Sequence, residues 1–364
     1  MRQVDVVVVG AGSAGLMAAL EVAKRGGSVT VLDENLRPGG QLFKQIHKFF
    51  GSEEHHAKER GIDIGTNLLE ESKKAGVEII LNSTVIGFFE PNILTYVQGN
   101  RLNDIRGKKV VIAAGASENP LVFPGWTLPG VMGAGAAQTL MNVQGVLPGK
   151  RILMVGAGNV GLIVSYQLTQ AGATVVAVVE ALPKIGGYGV HASKIRRAGI
   201  PIYVSHTIKE AVGKESVEGA IIVKLNRAWK PVPRTEKKLK VDTICLAVGL
   251  SPSTELTRLA GCQFMHLPQI GGYVPIHNQN METTVPGLFV AGDVAGIEEA
   301  STAIEEGRLA GIAISGQLGL LSESEVFSLK KESWRKLDAL RMGPFGKARQ
   351  MAKQKIYERF QALP

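Results

Sequence analysis

Cysteine is nearly absent. The 364 residues contain two, Cys245 and Cys262. Their separation fits neither a CxxC redox pair nor a zinc or iron–sulfur ligand set. A dithiol relay, and any cluster ligated by this chain alone, are therefore excluded, and a reducing, cytoplasmic setting is expected. The seven histidines form no metal pattern. His191, His206, His266 and His277 are scattered, whereas ligands need close, repeated spacing. His55 and His56 fall in a charged run and read as a solvated face. Long apolar runs are also missing. None reaches the roughly 18–20 residues that span a bilayer, and no secretory leader is read before the first strand near Val4. Charge of one sign is scarce in the body of the chain. Of a net +9, the stretch from Lys330 to Pro364 holds +7, as ten Lys and Arg against three Asp and Glu. A nucleic-acid binder would line a folded face with basic residues, so no nucleic-acid partner is expected.

Glycine, by contrast, is abundant at 44 residues, most of them in identifiable turns. With 45% hydrophobic and 20% charged residues, the chain suits a globular protein with a large core. VVVVGAGSAGLMAAL reads as a strand buried on both faces, a glycine turn and a helix from Ala14 to about Arg25. SVTVLDEN is the next strand, which completes a βαβ unit. ILMVGAGNVGLIVSYQL, from Ile152 to Leu168, opens a second such unit, and ATVVAVVE is its second strand. Between the units, residues 120–149 are rich in proline and glycine, with one short helix around Ala134 to Asn142. VEIILNSTVIGFFE and NILTYVQGN read as an antiparallel excursion. GLFVAGDV reads as a last strand that returns to the first sheet. The expected fold is α/β, with two Rossmann-like domains, the second inserted in the first, and a helical tail. The boundaries are 1–118, 119–247, 248–320 and 321–364.

Gly10, Gly12 and Gly15 form GxGxxG directly after a strand. The first glycine permits the turn, the second lets backbone approach a pyrophosphate, and the third lets helix and strand pack. The phosphates then meet the free N–H groups at the helix N-terminus. Asp33, 23 positions after Gly10, is placed to bind ribose hydroxyls. Gly156, Gly158 and Gly161 repeat the pattern, and Glu180 follows Gly156 by 24 positions. A carboxylate there suits NAD and repels a 2′-phosphate. The nicotinamide end is less regular. Ile163 stands where NADH-using relatives often carry glutamate, and LPKIGGYGV differs from their usual continuation. The second site thus reads either as a site for NAD or another adenine nucleotide, or as a turn kept for packing.

RPGGQL after Asp33 and VPGLFVAGDV near residue 290 resemble the two halves of an FAD site. On those residues the chain resembles the glutathione-reductase-like flavoproteins with two dinucleotide-binding domains. That resemblance implies FAD, with Asp293 on a ribityl hydroxyl and the helix starting at Ala300 and Ser301 aimed at the flavin. Its implied contact set is Gly10, Gly12, Ser13, Ala14, Gly15, Asp33, Glu34, Gly40, Gln41, Val85, Ala114, Gly115, Gly292, Asp293, Ala300 and Ser301. At the second site the set is Gly156, Gly158, Asn159, Val160 and Glu180. Disulfide reductases of this fold carry their cysteine pair where this chain has Leu42 and His47, so that activity is not expected. On LFKQIHKFF, Lys44 and His47 are the candidate catalytic residues, as proton carriers beside the flavin; the competing reading leaves them facing solvent or a partner.

A narrower resemblance rests on AAGASENPLVFPGWTLPGVMGAGAAQTL and GDVAGIEEASTAIEEGRLAG. Over roughly residues 1–320 the chain is similar to the flavin subunits of heteromeric amino-acid and amine dehydrogenases and oxidases. These include dye-linked L-proline dehydrogenase, D-hydroxyproline dehydrogenase, octopine and nopaline oxidase, hydrogen cyanide synthase and the sarcosine oxidase large subunit. The resemblance implies a small-molecule amine substrate, a second flavoprotein subunit, and with it a small iron–sulfur or cysteine-rich subunit. A stand-alone NADH-dependent flavin reductase and a scaffold with a structural FAD remain alternatives. The tail reads as two helices, the first carrying Phe327, Trp334, Leu337 and Leu340 at helical spacing. Partner contact or self-packing is expected of it ahead of membrane binding.

Overall fold

The computed structural model describes residues 1–363, which divide into two units, 1–117 with 250–363 and 118–249. Each is built on its own sheet.

The first unit holds a seven-stranded sheet. Arg2–Val9 lies in its middle, parallel to Val29–Leu32 on one side and Arg101–Ile112 on the other. Val6, Val7 and Val8 are fully buried, which is why this strand carries no alternation. Arg101–Ile112 changes partner along its length. Its first half pairs antiparallel with Ile93–Gln98, and its last residues pair parallel with Leu288–Val290. The strand near residue 290 thus joins the first sheet. The helices Ser13–Ala23 and Ala300–Gln317 lie backbone to backbone. A methyl on Gly307 would strike the Ala14 carbonyl, and one on Gly311 would press on Ala18 and Glu21.

The tail forms two helices, Glu323–Arg341 and Gly343–Gln361. Ser322 and Glu325 make a reciprocal capping box at the start of the first. Gly343, with φ of 82°, and Pro344 make the break between them. Leu337 and Ile356 are fully buried, and Ile356 packs with Leu267, Ile270 and Val274 of the same unit. Burying one such side chain contributes about 1.5–3 kcal/mol. The tail is therefore self-packed, although Phe327 on its first turns is exposed. Among the described residues, no helix is long and apolar enough to cross a membrane.

The second unit holds a five-stranded parallel sheet. Its order is Ile202–Val204, Thr174–Glu180, Arg151–Val155, Thr243–Leu246 and Val131–Gly133. The helix Ala134–Asn142 lies within the Pro/Gly-rich segment, and Glu118 caps it by accepting from the N–H groups of Gly135 at 2.7 Å and Ala136 at 3.2 Å. A hairpin pairs Gly219–Lys224 with Lys237–Leu239, and His206–Val212 extends it to three strands.

Candidate functional site: two glycine cradles

In the first unit the chain leaves Val9, turns at Gly10 and enters a helix at Ser13. The three glycines are confined by different things. Gly10 has φ of 101°, and a methyl there would strike the Ala113 carbonyl of the neighbouring strand. A methyl on Gly15 would strike the carbonyl of Gly10. Gly12 differs: a methyl there would meet no protein atom within 4 Å. It fronts open space, which is what close approach to a dinucleotide requires. Gly40 lies beside it, so close that a methyl on Gly40 would sit 2.9 Å from the Gly12 Cα. Ala114 follows the strand next to Gly10, and Gly292 packs on Ala14. The structure thus gathers Gly10, Gly12, Ala14, Gly15, Gly40, Ala114 and Gly292 around one turn. Glu34 and Gln41 are exposed, and Val85 is half-buried on Ser83–Phe89.

Asp33 does more than wait for a ribose. Its Oδ2 accepts from the Ala11 N–H at 2.6 Å, and its Oδ1 accepts from the Asn35 N–H at 2.8 Å. The carboxylate is nearly buried and braces the glycine turn from the strand end.

The second unit repeats this geometry. Gly156 has φ of 108° and abuts the Ala247 carbonyl, Gly161 abuts Gly156, and a methyl on Gly158 would meet no protein atom within 4 Å. Glu180 accepts from the Ala157 N–H at 2.8 Å and from the Leu182 N–H at 3.0 Å. The segment LPKIGGYGV, which looked irregular in sequence, turns out to be a second double-glycine loop. The Gly187 N–H donates to the Ala157 carbonyl at 2.9 Å, as the Gly39 N–H donates to Ala11 at 2.6 Å. Asn159 at the helix start accepts from the Tyr188 N–H at 2.8 Å and pins this loop. Val160 is exposed beside it, and Ile163 is half-buried.

Lys44 ends a short helical turn, Gly40–Lys44, and is half-buried. His47 is half-buried with its ring stacked on Phe49 at 5.9 Å. His55 corrects the sequence reading. It is 6% exposed rather than solvated, although its neighbour His56 is exposed enough to pair with Glu59 at 3.2 Å. The His55 carbonyl accepts from the Ser301 hydroxyl at 3.5 Å. A charged run hides this position, whose carbonyl meets a helix residue 246 positions away in sequence.

The loop Gly292–Glu298 is held by charges no local pattern reveals. Glu306 accepts from the Gly292 N–H at 3.0 Å. The same carboxylate accepts from Arg341 at 2.7 Å and Lys353 at 2.6 Å, and Lys353 also donates to the Ala295 carbonyl at 3.0 Å. Arg341 grips Glu298 through two bonds of 2.6 and 3.0 Å. All of these charges lie out of solvent and pair with one another. Burial in this region, together with the Glu306 charge, pushes the Asp293 carboxyl up to about 6. The helix Ala300–Gln317 begins without a side-chain cap, which leaves its positive end available to negative charge.

Both thiols are buried. Burial, and then the Glu118 charge, push Cys245 up to about 12, and burial raises Cys262. Among the described residues no group of three or more His, Cys, Asp or Glu could hold a metal.

Residues 4–307 match the family of pyridine nucleotide-disulphide oxidoreductases. An opine oxidase subunit of Agrobacterium tumefaciens (strain Ach5) is 30% identical over 87% of this chain, which spans only 66% of that relative's length. Hydrogen cyanide synthase subunit HcnB of Pseudomonas aeruginosa is 28% identical over 92% of this chain and 76% of its own length. Among solved structures, thioredoxin reductase of T. acidophilum superposes with a TM-score of 0.71 at 22% identity, covering 87% of this chain and 99% of that one. Two glycine cradles of one design, each at the end of a strand with parallel neighbours, agree with this. The chain belongs to the pyridine nucleotide-disulphide oxidoreductase family, as an FAD oxidoreductase with a second dinucleotide site.

Proposed function

We propose that this chain is the electron-transferring FAD subunit of a heteromeric dehydrogenase or oxidase that acts on the C–N bond of an amino acid or secondary amine. Substrates of proline, hydroxyproline, sarcosine or opine type fit that class. Relatives named as subunits of opine oxidase and of hydrogen cyanide synthase support it. So does Leu42 and His47 standing where a disulfide reductase has cysteines. The observation that carries the reading is the first cradle, where Gly12 faces open space between Gly40 and the start of a helix.

FAD fits that space, and when bound it supplies a two-electron acceptor. Gly10, Gly12, Ser13, Ala14 and Gly15 would hold the pyrophosphate, and Asp33 and Glu34 the ribose. Gly40, Gln41, Gly292 and Asp293 would line the ribityl chain, with Val85, Ala114 and Gly115 completing the walls. Ala300 and Ser301 would present an uncapped helix end to the flavin, favouring negative charge on it. Lys44 and His47 would carry protons nearby. Residues 1–118 and 248–320 would form the FAD domain, 119–247 the second nucleotide domain and 321–364 the buttress. NAD or another adenine nucleotide would sit on Gly156, Gly158, Asn159, Val160 and Glu180. A second flavoprotein subunit would bind the amine, with a small iron–sulfur or cysteine-rich subunit completing a cytoplasmic complex.

The test is anaerobic. The purified chain, alone and with the products of neighbouring genes, is mixed with proline, sarcosine, hydroxyproline or octopine, and flavin absorbance is followed. Bleaching that needs the partner supports the proposal. Fast bleaching by NADH alone, with no amine response in any combination, would overturn it. That outcome belongs to the second reading, an NADH-dependent reductase, which the close repeat of the cradle at Gly158 favours.

A further inference from the structure

We infer that His55 is a cofactor-contacting residue, and that its Nε2 hydrogen-bonds the flavin ring of bound FAD. The inference rests on the FAD reading above and names a group that reading leaves out. His55 is 6% exposed, and its two ring nitrogens differ. Nδ1 meets the Ser52 hydroxyl at 2.7 Å. Nε2 is buried and has no hydrogen-bond partner in the protein. Nine in ten or more buried polar groups have a partner, and leaving one unmet costs about 1–3 kcal/mol. An unmet nitrogen of this kind calls for a partner from outside the protein chain.

Its position says which ligand. The His55 carbonyl takes the Ser301 hydroxyl, on the first turn of the Ala300–Gln317 helix. That helix starts without a side-chain cap, and the first N–H groups of a helix have no partner within it, so the residue with the unmet nitrogen touches a helix end that suits negative charge. The two observations come from segments far apart in sequence. The His55 segment is also held in place rather than loose. His56 and Lys58 adopt φ of 62° and 71°, a region non-glycine residues seldom occupy. The N–H of Phe49 donates to Glu59 at 2.8 Å, that of Lys58 donates to Phe49 at 3.0 Å, and Glu54 pairs with Arg335 of the tail. Strain held in place this way gathers at ligand sites. When the Ser52 hydroxyl donates to Nδ1, the ring proton sits on Nε2. Nε2 is then a donor, suited to an oxygen or nitrogen that gains negative charge when the flavin takes electrons.

The discriminating pair is His55→Asn and His55→Gln in the FAD-loaded protein. An Asn amide reaches only where Nδ1 lies, whereas a Gln amide reaches the place of Nε2. Flavin content and midpoint potential are measured for each. His55→Asn is expected to keep FAD but disfavour its reduced form about tenfold, a fall of about 30 mV for a two-electron couple. His55→Gln is expected to keep the wild-type potential. Equal shifts in both variants, or none in either with FAD bound, would overturn the proposal. Should His55→Asn not fold, Ser52→Ala serves instead: it frees the ring and is expected to lower the potential in the same direction, and an unchanged potential would overturn the proposal. A wild-type protein unable to take up FAD would overturn the FAD reading itself, a distinct result.

Discussion

The backbone N–H of Gly292 donates to the Glu306 carboxylate at 3.0 Å. Through that carboxylate, the loop before the long helix is tied to Arg341 and Lys353, which lie beyond residue 307, where the family match ends. The tail is thus a buttress for Gly292–Glu298. Arg341→Met leaves Glu298 and Glu306 buried with less compensation. Breaking such a pair costs about 3–5 kcal/mol, so a thermal melt is expected to drop by on the order of 5–10 °C. FAD retention on gel filtration is expected to fall with it. A melt within about 1–2 °C of wild type, well short of that drop, would show that the network is dispensable.

Asp293 gives a pH test. Its carboxyl is raised from 3.8 to about 6, mainly by burial. The folded chain therefore holds this proton more tightly than the unfolded chain does. The associated stability is fully present below about pH 4 and is lost as pH rises through about 6. In flavin-free protein, Asp293→Asn is expected to melt progressively higher relative to wild type between about pH 4 and 7. Parallel melting curves for the two proteins would contradict the assignment.

The glycines separate fold from binding. Gly12→Ala and Gly158→Ala put a methyl into open space. Each is expected to keep stability within about 0.5 kcal/mol, while Gly12→Ala weakens FAD binding at least tenfold in equilibrium dialysis. Gly15→Ala and Gly161→Ala meet a carbonyl of their own turn. They are expected to cost about 1–3 kcal/mol or more through overpacking. Normal FAD affinity in Gly12→Ala would move the pyrophosphate elsewhere.

The thiols are expected to stay silent. Cys245 and Cys262 are buried and raised, so a thiol reagent at about pH 8 is expected to label neither until denaturant is added. Cys245→Ser with Cys262→Ser is expected to leave flavin reduction rates unchanged. Fast native labelling of either thiol would reopen a thiol mechanism.

Features written in short local patterns were legible. Gly10 and Gly156 announce their turns because strand, turn and helix lie within a dozen residues. The return of Leu288–Val290 to the first sheet followed from its apolar run and glycine turn. Relations between distant segments were not legible. His55 reads as solvated because its contact with Ser301 spans 246 positions of sequence. Nothing in the tail singles out Arg341 and Lys353 among its ten basic residues, because their carboxylates sit at Glu298 and Glu306. Gly186 and Gly187 read as irregular because their meaning lies in the contact with Ala157 and Gly158, not in the sequence beside them.

The inserted architecture has a consequence for synthesis. Val110–Ile112 pairs with Leu288–Val290, and the Ser13–Ala23 helix is covered by Ala300–Gln317. Both partners emerge from the ribosome after the whole of 118–249. The later-encoded unit can therefore finish folding first, since its sheet needs nothing beyond Leu246. Meanwhile the nascent N-terminal βαβ unit carries an open strand edge and a bare apolar helix face, the surfaces that invite wrong pairing. Expression yield should then depend on translation speed and chaperone supply across residues 118–317 more than on the final stability of the protein.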